Sequence, residues 1–131
     1  MPSSQPFNQA LEILSNLVRI NSVNPNLVPG GAGEKEIAQF LAAFLKQQGI
    51  PAELQSVAPD RFNVVATVRG VKAGPRVLLN GHLDTVSVEG MNSPFKPIHR
   101  EGRIYGRGAQ DMKGGLAGAI AALLILPHHP Q

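Results

Sequence analysis

His82 and Asp84 stand two residues apart in Leu78-Leu79-Asn80-Gly81-His82-Leu83-Asp84-Thr85-Val86, and Asp111 stands in Gly106-Arg107-Gly108-Ala109-Gln110-Asp111-Met112-Lys113-Gly114-Gly115. These residue types bind metal: His82 offers an imidazole nitrogen and Asp111 two carboxylate oxygens. In an extended chain, side chains at i and i+2 fall on the same side. Asp84 can therefore accept the second ring N–H of His82, fixing the tautomer and orientation in which the other nitrogen faces a metal. His82 and Asp111 are the candidate ligands, and Asp84 is the candidate orienting residue. Each has an ordinary alternative. A single His is commonly a core or capping residue, Asp84 could be an exposed turn residue, and an Asp before an apolar helix is commonly an N-cap. The i+2 acceptor favours the ligand role for His82, as does Gly81, which lets the backbone approach closely. For Asp111 the capping and ligand roles are compatible.

Competing chemistries fail on the same residues. A phosphate cradle of the G-x-G-x-x-G kind would need glycine where Asp111 stands, and a carboxylate aimed into the loop would repel phosphate. Lys113 is followed by Gly114 rather than by Ser or Thr, so the loop is not a P-loop either. Arg107 and Lys113 are read as solvated or structural, and His99 as exposed. Ser22 lacks the G-x-S-x-G surroundings of a hydrolase nucleophile and reads as a turn serine. No cysteine is present, which excludes thiolate ligands and a cysteine nucleophile and is compatible with a reducing cytoplasm. The 12 basic and 9 acidic residues are scattered, which speaks against a nucleic-acid surface. The N-terminus has neither a basic segment nor an apolar run, so a secretory signal is not expected. The longest apolar stretch, 116–126, is shorter than the ~20 residues a membrane span needs. His128 and His129 would bind metal only adventitiously.

The elements that must position these residues follow from periodicity. Phe7, Ala10, Leu11, Leu14, Leu17 and Val18 predict an amphipathic helix over 6–19. Residues 21–26 break it, and 29–33 read as a flexible glycine-rich loop. Ile37, Phe40, Leu41, Phe44 and Leu45 predict a second helix with Glu34 and Glu36 in its first turn and Gly49 as its stop. The Phe40/Phe44 pair reads as core. Strands are expected at 52–57, 62–68 and 76–80, the last two joined as a hairpin through 70–75. Val77-Leu78-Leu79 suits a strand buried on both faces, with His82 just past its end. A short hairpin over 98–105 turns at Glu101-Gly102. Residues 114–126 predict an all-round apolar helix buried against the sheet, with Pro127 as its stop. The sum is an α/β fold, a mixed β-sheet flanked by helices.

The two motifs, in this order and separated by a short insert, resemble the N-terminal signatures of the acetylornithine deacetylase/succinyl-diaminopimelate desuccinylase family of zinc metallopeptidases and aminoacylases. The resemblance runs from about residue 7 to about residue 126. It implies a zinc-exopeptidase-like catalytic domain, of which residues 1–131 are the truncated N-terminal part, lacking the lid and dimerisation domain and the C-terminal catalytic part. It implies two Zn2+ ions, with Co2+ as an alternative, His82 and Asp111 as ligands with Asp111 bridging, a cis peptide just after Asp111, and Asp84 orienting His82. It implies a cytoplasmic hydrolase of amide bonds in N-acyl amino acids, or a dipeptidase or carboxypeptidase acting on short peptides, dimeric through the missing domain. The general base of the family is a glutamate downstream of the bridging Asp. Glu89 and Glu101 precede Asp111 and do not match it, so the expected chain is an incomplete and inactive fragment, or a truncated remnant without catalysis.

Overall fold

The computed structural model describes residues 5–126 and holds three α-helices and four strands. Helix α1 (Gln5–Arg19) buries Leu17 and Val18 of the predicted stripe together with Ile13, which the stripe does not include, while Phe7 is 65% exposed. Helix α2 (Lys35–Gln47) buries Ile37, Ala38, Leu41, Ala42 and Leu45. Its end is a Schellman turn: Gly49 takes φ 78°, its N–H bonds the Lys46 carbonyl at 3.0 Å, and the Ile50 N–H reaches back to Leu45 at 2.9 Å. The Phe40 and Phe44 rings stack with centroids 6.2 Å apart and pack against the core, as expected.

Strands β1 (Ala52–Ala58) and β2 (Arg61–Ala66) form an antiparallel hairpin from Ala52↔Ala66 to Ala58↔Arg61, and α2 packs on it. The turn between them places Asp60 at φ 57°. Arg61 pairs with Glu34 at the start of α2, with Nη2 donating to Oε1 at 2.6 Å, so the Glu34 carboxylate ties helix to hairpin instead of capping its own helix. Strands β3 (Ile98–Arg100) and β4 (Arg103–Tyr105) pair antiparallel around Glu101 and Gly102, at φ 53° and 72°, the positive values a two-residue hairpin turn requires. Helix α3 (Gly114–Ile125) buries Ala117, Ile120, Ala121 and Leu124, chiefly against α1 rather than against a sheet. Pro127 and the two histidines after it lie outside the described residues.

The α/β class holds, but in place of one mixed sheet the described residues form two separate two-stranded antiparallel sheets. Segment 76–80 belongs to no strand among the described residues, and Val77, Leu78 and Leu79 are 83%, 84% and 58% exposed. β2 pairs with β1, not with this segment. A strand buried on both faces needs hydrogen-bonding neighbours and covering helices, and the described residues bring neither to 76–80. The nearest ladder contact is a single parallel bridge, Val23↔Thr85, just past the histidine. Among the described residues no helix is long and apolar enough to cross a membrane.

Candidate metal centre

The three chemistry-bearing residues meet. His82 Nδ1 lies 3.1 Å from Asp84 Oδ1 and 3.1 Å from the Asp84 carbonyl oxygen, and His82 Nε2 lies 2.9 Å from Asp111 Oδ1. With Nδ1–H donating to Asp84, the Nε2 lone pair faces a carboxylate oxygen. Two acceptors at that distance need a proton or a metal ion between them. Desolvation lowers the His82 pKa, but the hydrogen bond to Asp111, the bond to the Asp84 carbonyl and the charges of both carboxylates outweigh it, so the pKa is raised. A nitrogen and an oxygen facing one another, with the second ring nitrogen held by a carboxylate, is a donor set that fits zinc. Among the described residues no group of three or more His, Cys, Asp or Glu forms a cation cage.

The His82 side is built on residues 22–24. The Ser22 carbonyl accepts the Thr85 N–H at 2.9 Å, and the Thr85 carbonyl accepts the Asn24 N–H at 2.9 Å. Ser22 is fully buried, and its hydroxyl donates to the Leu83 carbonyl at 2.8 Å, so the expected turn serine is a buried tie between two loops. Asn24 Nδ2 donates to Asp84 Oδ2 at 2.8 Å. Loop 29–33 is not loose: the Gly33 N–H bonds the Val23 carbonyl at 3.0 Å, and a Cβ on Gly31 would lie 2.6 Å from that same oxygen. Gly81 does allow a close approach, since a Cβ there would lie 2.7 Å from Leu116 Cδ2 and 3.0 Å from Met112 Cε.

The Asp111 side is a backbone device. Residues Ala109–Lys113 form a wide, kinked turn, entered through Gly108 at φ 81° and closed by the Lys113 N–H on the Gly108 carbonyl at 2.9 Å. Asp111 (φ −120°, ψ 99°) and Met112 depart from helical geometry, and the Asp111–Met112 peptide is cis, as the resemblance implies. Lys113, not Asp111, takes the N-cap position of α3. Asp111 is therefore no cap; its carboxylate turns to His82, and its side chain is 82% exposed. Lys113 is fully buried, and its Nζ donates to the Leu17 and Ile20 carbonyls at the end of α1, both at 2.8 Å. Burial pushes its pKa down to about 8. Of the two roles open to it, the structural one holds.

His82, Asp84 and Asp111 line an open pocket of about 270 Å³ together with Thr85, Arg107 and Gly108. Arg107 Nε and Thr85 Oγ1 are buried without a hydrogen-bond partner among the described residues. His99 is exposed as expected, with its Nε2 3.0 Å from Ser15 Oγ on α1. The side chain that sequence reasoning missed is Asn24. An Asn before Pro reads as a turn former, and only the pairing of Val23 with Thr85 brings it to the site.

Residues 78–131 match the sequence model of peptidase family M20/M25/M40. The chain is 34% identical to a succinyl-diaminopimelate desuccinylase of Cupriavidus taiwanensis over 89% of its own length and 31% of that protein's. It is 32% identical to an N-formyl-4-amino-5-aminomethyl-2-methylpyrimidine deformylase of Bacillus subtilis, over 75% of this chain and 24% of the relative. To an uncharacterized metallohydrolase of Methanocaldococcus jannaschii it is 31% identical, over 92% of this chain and 32% of the relative. With two signature loops folded onto one another and these matches, the chain belongs to peptidase family M20/M25/M40. It spans about a third of the length of the curated relatives it matches.

Proposed function

We propose that the protein carrying this chain is a zinc-dependent amidohydrolase that removes an acyl group from the nitrogen of an N-acyl amino acid, in the cytoplasm. The observation that carries the reading is the facing pair, His82 Nε2 and Asp111 Oδ1 at 2.9 Å, with Asp84 on the other ring nitrogen. In this reading His82 and Asp111 would hold the zinc, and Asp84 would keep the His82 ring in its ligating tautomer. When bound, zinc, or Co2+ in its place, would supply activation of water for attack at neutral pH. Residues 1–131 are then the N-terminal part of the catalytic domain. The remaining ligands and the glutamate base come from outside these residues, and dimerisation belongs to a separate domain. The names of two relatives, a desuccinylase and a deformylase, support removal of a small acyl group from nitrogen as the reaction class.

The test uses the full-length protein with N-succinyl, N-acetyl and N-formyl amino acids. Release of free amine is expected with zinc, lost after chelation, restored by zinc or cobalt, and abolished by His82→Ala. Unchanged turnover in the chelated protein or in His82→Ala would overturn the reading.

A further inference from the structure

Asp84 has two carboxylate oxygens and only one of them faces His82. Oδ1 lies 3.1 Å from His82 Nδ1, while Oδ2 accepts the Asn24 amide at 2.8 Å. The orientation of that amide follows from its other end. Asn24 Oδ1 accepts the backbone N–H of Asn26 at 2.8 Å, so the oxygen is committed to its own turn and the NH2 group must point at Asp84. The backbone of Asn24 is equally committed. Its N–H bonds the Thr85 carbonyl at 2.9 Å, and its carbonyl accepts from Leu27 at 3.1 Å and Val28 at 2.9 Å. Gly31 presses against the Val23 carbonyl behind it. The side chain is thus an amide donor with a fixed origin and a fixed direction, and its target is the carboxylate that orients the candidate ligand.

We propose that Asn24 is a positioning residue of the metal site: it fixes the Asp84 carboxylate, and through Asp84 the ring of His82. The inference rests on the reading of His82 as a metal ligand. The residue type suits the task. A neutral amide holds one oxygen of Asp84 without neutralising its charge, whereas Lys or Arg here would compete with His82 for that charge. Removal of such an outer partner typically weakens metal affinity ~10–100-fold while leaving the ligands in place.

Asn24→Asp isolates the amide donor. It keeps an oxygen to accept the Asn26 N–H, so the turn survives, but puts an acceptor where Asp84 needs a donor. The readout is the zinc dissociation constant of the full-length protein, from competition with a chromophoric chelator, alongside the urea midpoint of the zinc-free form. Four proteins are compared in addition to the native one: His82→Ala, Asn24→Asp, Asp84→Ala, and the double variant of the last two positions. Asn24→Asp is expected to weaken zinc binding at least tenfold alone and to add less than twofold on top of Asp84→Ala, because its effect runs through that carboxylate. Asn24→Ala, which introduces no charge, carries the same comparison if the aspartate variant does not fold. If His82→Ala binds zinc like the native protein, the metal reading itself fails. If His82→Ala loses zinc but the Asn24 variants do not, the metal reading stands and the role of Asn24 is overturned. Equal weakening with and without Asp84 would also overturn it, because Asn24 would then act on the fold and not on the carboxylate.

Discussion

His82 is held through side chains and Asp111 through backbone. Behind His82 runs a line of polar groups, Asp84 and then Asn24, resting on a short parallel bridge to Thr85. Behind Asp111 lies a wide turn entered through Gly108 and pinned to the end of α1 by the buried ammonium of Lys113. The difference predicts two kinds of failure. A polar substitution on the His82 side should loosen metal binding and spare the fold. Substitutions that spoil the turn on the Asp111 side should cost stability first, because the same atoms join α1 to α3.

Between the two halves of the site, Lys113→Met is the largest expected effect. It strips the Leu17 and Ile20 carbonyls of a charged donor in a fully buried place, and a substituent of similar length cannot replace that bond. The Leu17 carbonyl keeps the Ile20 N–H, but the Ile20 carbonyl loses its donor, and a lost charge-assisted bond of this kind costs about 3 kcal/mol, read as a fall in the urea midpoint of the zinc-free protein. An unchanged midpoint would break the comparison, since Lys113 would then be no clamp. Gly108→Ala comes next. Its φ of 81° disfavours any side chain, and a Cβ would lie 2.7 Å from Thr85 Cγ2 and 3.0 Å from Lys113 Cδ. A loss of about 2 kcal/mol is expected from a left-handed non-glycine in a crowded site. Gly102→Ala is the control: φ is 72° but nothing lies within 4 Å, so only the backbone preference, about 1 kcal/mol, should be lost.

Asp84→Asn tests the other half. The shape is kept, but Asn24 and His82 both point donors at it, and an amide can satisfy only one of them. Zinc affinity is expected to fall roughly tenfold or more, with at most about 1 kcal/mol lost from the zinc-free fold. A variant that unfolded before it lost zinc would place the His82 side in the same class as the Asp111 side.

The legible parts were those in which neighbours in sequence are neighbours in space. Helical stripes in α1 and α2 and the His82–Asp84 pair rest on spacings of four residues or fewer, and the 98–105 hairpin on pairs no more than seven residues apart. The approach of Asp111 to His82 was legible only through the resemblance, since no local spacing relates positions 29 residues apart. Two things were hidden. Asn24 meets Asp84 across 60 residues, and a buried Lys113 next to a glycine pair looks like any solvated lysine until the end of α1 is brought to it. In both cases the signal lies in the tertiary partner and not in the residue type. The segment 76–80 misled for the opposite reason. Its composition suits an inner strand, but composition cannot say whether a neighbouring strand is present.

That segment supplies the smallest expected effect. Leu17 and Leu78 are the same residue type in equally apolar surroundings of sequence, yet one is fully buried between α1 and its neighbours and the other is 84% exposed. Leu17→Ala should cost about 2–5 kcal/mol through lost transfer energy and the cavity left behind. Leu78→Lys removes an apolar side chain from water and packs nothing less well, so a change within about 0.5 kcal/mol is expected in this chain. The concentration at which the chain self-associates should rise at the same time, because Val77, Leu78 and Leu79 are consecutive exposed apolar residues and a lysine interrupts them. Both readings come from one pair of measurements, a urea titration and sedimentation of a concentration series. A loss of several kcal/mol for Leu78→Lys would mean that the segment is packed in solution, and that the His82 loop is carried by a strand with partners on its flanks instead of by the single bridge between Val23 and Thr85.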